Sequence, residues 1–164
     1  MVKFLDQINE LLEAADSREF DAGDLGLEFE RAGDQAFDAL VDGLGRDSTT
    51  DHGCVRGLRA LALLTRHHCR GRMMQLAEIC VPLMKHEHRA VRGDAVNIGA
   101  AMVTLMNLQG AYAEGTMKPL FDRVASGIGS AIESGIDEEF IEAGQLFIHN
   151  RGHIPPEPDE SEWR

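Results

Sequence analysis

The sequence predicts an all-α fold, and three observations carry that prediction. Apolar residues recur at helical spacing in stretch after stretch. No run of alternating apolar and polar residues supports a sheet. The tripeptide Val55-Arg56-Gly57 returns as Val91-Arg92-Gly93, 36 positions on, and each copy opens a helix that follows another amphipathic helix and a polar turn. Paired helices at such a period point to stacked units, in which neighbours supply the core that one pair cannot close alone.

The elements follow in order. Phe4, Leu5, Ile8, Leu11 and Leu12 give an amphipathic helix over 2–15. The stretch 18–31 carries Gly23 and Gly26, which weaken a helix there. Asp34 is placed to cap a helix carrying Phe37, Leu40, Val41 and Leu44, and Asp51 to cap the next after the turn 45–51. Further helices are expected over 52–68, 72–86, 90–108, 117–133 and 137–149. Residues 1–154 are expected to form one helical domain. The remaining 155–164, opening Pro155-Pro156-Glu157-Pro158, are expected to be an acidic, flexible tail.

Leu83-Met84-Lys85-His86-Glu87-His88-Arg89-Ala90-Val91-Arg92-Gly93-Asp94-Ala95 resembles a HEAT repeat. Such repeats end a first helix in leucines, pass a short polar turn, and continue with Val-Arg and an Ala three residues on. Val91, Arg92 and Ala95 match that pattern, and His86 stands where the family usually has Asp. The first copy has Arg59 at the Ala position and a longer turn before it. The third pair, near 117–149, agrees in periodicity. The resemblance covers about 35–149. It implies a short right-handed α–α superhelix of helical pairs, with the second helix of each pair lining the concave side, and commonly a binding surface. It implies no catalytic activity.

Charge is unevenly placed. Residues 1–48 carry a net −9, residues 49–135 a net +3 and residues 136–164 a net −6, within a total of −12. That total argues against general coating of DNA, which needs surplus Lys and Arg. Aromatic residues are 5% of the chain, too few for a base-stacking platform. No run approaches the roughly 18 apolar residues of a membrane span. Acids enter too early at the N-terminus for a secretory signal. Three cysteines without a CxxC pair suit a reducing cytoplasm.

The arginines are the sharpest feature. At 100° per residue, Arg56, Arg59, Arg66 and Arg70 fall within about 80° of arc on one helix. The rest of that helix is apolar nearly all round, so the expectation is a buried helix exposing one narrow basic face. Acids of neighbouring helices can pair with this stripe, or it can take a phosphate, a nucleic acid or an acidic partner. Arginine suits bidentate contact with either carboxylate or phosphate. In the helix after it, Val91, Ala95, Ile98 and Met102 cluster within about 60°, leaving Asp94, Asn97 and Thr104 on the other side. Stacked repeats would set these polar residues beside the arginines, as a mixed-charge surface for binding a protein.

Other chemistry is poorly supported. There is no nucleophile elbow, no P-loop and no dinucleotide fingerprint. His67-His68-Cys69 and His86-Glu87-His88 lack the i, i+4 spacing of a metal-binding helix face, so no metal or other cofactor is expected. Asp6, Glu10 and Glu13 share one helix face, and Asp34, Asp38 and Asp42 another. These faces are solubilising or act as an electrostatic lure for a basic protein. The expectation is a non-enzymatic, cytoplasmic, protein-binding module, with an immunity protein that occludes a toxin domain as its most concrete form. The alternative is a nucleic-acid- or phosphate-binding module working through the Arg stripe.

Overall fold

The structure is a computed structural model and describes residues 2–15, 28–29, 31–68, 72–108 and 118–135. Among the described residues the chain is all-α, without a strand, as the periodicity predicts. Six helices are described: α1 (Val2–Glu13), α2 (Asp34–Leu44), α3 (Asp51–His68), α4 (Met73–Leu83), α5 (Arg89–Leu108) and α6 (Lys118–Glu133). The expected helix over 137–149 and the tail 155–164 lie outside the described residues.

Each helix buries the stripe its spacing lays down. Ile8, Leu11 and Leu12 are the inward face of α1, and Ala36, Phe37, Leu40 and Leu44 that of α2. On α4 the buried residues are Met73, Leu76, Ala77 and Cys80, and on α6 Leu120, Val124, Gly127 and Ala131. Helix α3 differs, because every residue from Gly53 to Ala62 is buried. It touches α1, α2 and α5, so it has partners around most of its circumference. Helix α5 is the second such element, in contact with α3, α4 and α6. Alternate helices are neighbours: α1 with α3, α3 with α5, α2 with α4, and α4 with α6.

The helix starts differ in detail from expectation. Asp34 is the first residue of α2 rather than its cap; Gly33 holds that place at φ 49° and makes no side-chain capping bond. Asp51 likewise lies inside α3. The cap is Thr50, whose Oγ1 accepts the Gly53 N–H at 3.0 Å while its carbonyl accepts the Cys54 N–H at 2.7 Å. The Thr50 hydroxyl thus satisfies one of the amides that the first turn leaves without a partner in the helix. The Asp51 carboxylate is therefore available for a different contact.

Thr50 also ties α3 to the end of α1. Its N–H donates to the Leu12 carbonyl at 3.0 Å and its hydroxyl to the Ala14 carbonyl at 2.8 Å. The helices meet at Gly53, where a Cβ would lie 1.8 Å from the Leu12 carbonyl oxygen. Only a residue without a side chain permits that approach. At the opposite end of the core, Met84 fills the space between Gly99 on α5 and Gly127 on α6, as a flexible thioether does well.

Candidate functional site

Arg56 and Arg59 of α3 are not part of an exposed basic face. Arg56 is 2% exposed and Arg59 9% exposed. Arg56 reaches the end of α1, where its Nε donates to the Leu11 carbonyl at 2.7 Å and an Nη donates to the Ala14 carbonyl. The last carbonyls of a helix have no partner within it and carry the negative end of its dipole. A guanidinium with several donors satisfies both demands at once. Arg59 turns toward α5, and its Nε donates to Asp94 Oδ2 at 2.9 Å. The ion pair is buried on both sides, so each charge depends on the other.

The expected adjacency of the two helices is present in this pair, but the surface is not. Asp94 is 8% and Asn97 6% exposed, because the polar side of α5 faces α3 instead of solvent. Among the described residues Asn97 Oδ1 finds no hydrogen-bond partner. Thr104 donates its hydroxyl to the Ala100 carbonyl at 3.0 Å, one turn back in its own helix. Val91, Ala95, Ile98 and Met102 are fully buried, as their spacing predicts. The backbone of Arg66 belongs to α3, while its side chain and the whole of Arg70 lie outside the described residues. The expectation of an open Arg56–Arg59 face is therefore corrected. Both side chains serve the junctions of α3 with α1 and α5, and the desolvation of a bare cation there would be severe without such partners.

A second polar group was not legible as a unit. The turn between α4 and α5 brings His86, Glu87 and His88 to Asp51 at the start of α3. His88 Nε2 lies 2.7 Å from Asp51 Oδ2 and 3.7 Å from Glu87 Oε1. His86 Nε2 lies 3.5 Å from Asp51 Oδ1. The two imidazoles are tilted against each other with centroids 5.5 Å apart. His88 immediately precedes α5: its carbonyl accepts the Arg92 N–H at 3.1 Å, and its own N–H donates to His86 Nδ1 at 3.1 Å. Arg92 fixes the turn from below by donating to the carbonyls of His86 and Glu87, each at 2.9 Å. Partial burial lowers the pKa of His86 from its ordinary value; the Asp51 carboxylate opposes that shift, and His88 adds to it. The signal for this cluster was Thr50-Asp51, two adjacent capping residues of which a helix uses one.

A further group of exposed acids sits on the first two helices. Asp6, Glu10 and Glu13 on α1 and Asp34, Asp38 and Asp42 on α2 are all exposed, and these two helices touch. Arg46 pairs with Asp42 and also donates to Asn9 Oδ1 at 3.1 Å, while Arg72 pairs with Asp38 and stands 5.2 Å from the Phe37 ring centre. The cations here are fewer than the acids. Burial pushes the Cys80 thiol up to about 12. Burial, with the Asp51 charge, pushes Cys54 up to about 11. Neither is poised as a nucleophile.

No protein-family model matches the chain, and neither the curated proteins nor the solved structures contain a match. Among the described residues no helix is long and apolar enough to cross a membrane.

Proposed function

We propose that this protein is a non-enzymatic, cytoplasmic, HEAT-like module that binds another protein. Its concrete form is a bacterial immunity protein that neutralises a basic toxin domain by occlusion. The observation that carries the reading is the sorting of charge. Arg56 and Arg59 are spent inside, on helix ends and Asp94, while six carboxylates of α1 and α2 face solvent. A surface of that sign steers a basic partner and raises its association rate. The neighbour pattern of alternate helices supports a HEAT-like stack, and the Val91-Arg92 signature falls at the start of α5, where that family opens its second helix.

Recognition on this reading belongs to the acidic pair α1–α2 and not to the α3–α5 seam. The nucleic-acid alternative is less favoured at Arg56 and Arg59, since phosphates need accessible cations and these two are buried. The test is calorimetry of the purified chain against the product of the adjacent reading frame and against a DNA duplex, each at two salt concentrations. Binding of the protein partner that weakens with salt and with Asp6→Lys and Glu13→Lys supports the reading. Tight duplex binding with a steep salt slope overturns it.

A further inference from the structure

We propose that Asp51, Glu87 and His88 form a binding site for a divalent transition cation of the zinc class. The ligand atoms of these three residues lie within 4.8 Å of one another, although Asp51 is far from the other two in sequence. A tetrahedral site with bonds of about 2.0–2.2 Å sets its ligand atoms roughly 3.3–3.6 Å apart. The 3.7 Å from His88 Nε2 to Glu87 Oε1 already suits that figure. The 2.7 Å from His88 Nε2 to Asp51 Oδ2 has to open by somewhat under about 1 Å, which side-chain rotation supplies. One imidazole with two carboxylates is the donor set of zinc, cobalt or nickel rather than of calcium or magnesium, which take oxygen throughout. Water completes the shell.

His86 is a positioning residue. Its Nδ1 accepts the His88 N–H, so the neutral ring carries its proton on Nε2. That nitrogen faces Asp51 Oδ1 at 3.5 Å and steadies the carboxylate instead of ligating. Support of a ligand by a second layer is a general property of metal sites. The clamp of Arg92 on the carbonyls of His86 and Glu87 holds the turn in place from the other side. Asp51 is available because Thr50 caps α3. The expectation of no metal rests on local spacing, which cannot report a ligand 36 residues away. The site is independent of the protein-binding reading.

The test uses the full chain without an affinity tag, titrated with zinc by calorimetry and with cobalt by visible absorption. One equivalent is expected. His86→Gln should weaken it by about tenfold, and Glu87→Gln and His88→Ala, which each remove a ligand, by more. The triple variant His67→Ala, His68→Ala, Cys69→Ser should keep it. Glu87 is exposed, so its variant keeps the fold even where a change at His88 does not, as circular dichroism checks. Zinc binding that survives Glu87→Gln and His88→Ala overturns the proposal, and so does the absence of binding; either result leaves the cluster a plain ion pair.

Discussion

Arg56 and Arg59 share one face of α3 and meet different partners, three residues apart. The sequence places them on that face correctly, because the angle between two residues depends only on the helix itself. It does not say what stands opposite, which depends on where α1 ends and how α5 lies. The energetic consequence is testable at Arg59. Arg59→Ala leaves Asp94 buried without its counter-charge and should cost about 3–5 kcal/mol in denaturant unfolding. The paired change Arg59→Met with Asp94→Leu should recover most of that loss, since an apolar pair of similar volume tolerates the site. A double variant as unstable as the single one would show that packing, not charge, holds the seam. The cysteines give a second expectation at this scale. With Cys54 pushed up to about 11 and Cys80 to about 12, the thiolate at pH 8 is about one part in a thousand or less. In a Cys69→Ser background, a disulfide reagent should therefore find no rapidly reacting thiol in the native chain and two in denaturant. Fast native reaction would contradict their burial.

Helices were the most legible level, and their ends the least. The apolar stripes of α1, α2, α4 and α6 are readable from spacing because each has one buried side. Helix α3 is buried nearly all round, so its pattern alone does not distinguish a central helix from one with a basic edge. Thr50 and Asp51 are both capping residues, and choosing between them needs the Leu12 and Ala14 carbonyls, which Thr50 also serves. That choice decides whether Asp51 is available to His86 and His88, so a capping detail determines whether a cluster forms. Gly53 offers the sharpest test of the α1–α3 crossing. Gly53→Ala drives a methyl group into the Leu12 backbone, which cannot move as a side chain would, and should cost about 1–3 kcal/mol. Gly99→Ala meets the mobile end of Met84 and, less closely, the side chains of Val124 and Ile128 rather than backbone, and should cost less. Equal thermal shifts for the two would argue against the close backbone approach. On α5, Val91→Asp should cost several kcal/mol by burying an unpaired charge; a variant that melts like the parent would contradict the register of that helix.

Over the whole molecule, the net charge of −12 is unevenly placed along the chain. The basic middle segment supplies α3 to α6, where Arg56 and Arg59 are buried while Lys85, Lys118 and Arg123 are exposed, and the acidic first segment supplies α1 and α2, whose outer faces are solvent-exposed. Composition by segment revealed the asymmetry but not which cations lie inside, because burial is a property of the packed helices. On our proposal Arg56 and Arg59 serve the interior while recognition rests on the acidic face. Affinity for the adjacent reading frame's product and for a DNA duplex, in the parent chain and in the Arg59→Met, Asp94→Leu variant, separates the two roles. Partner affinity should be unchanged within about twofold, or roughly 0.4 kcal/mol, with no appreciable duplex binding by either protein. A loss of partner affinity beyond about tenfold, or 1.4 kcal/mol, in a variant that remains folded would contradict it.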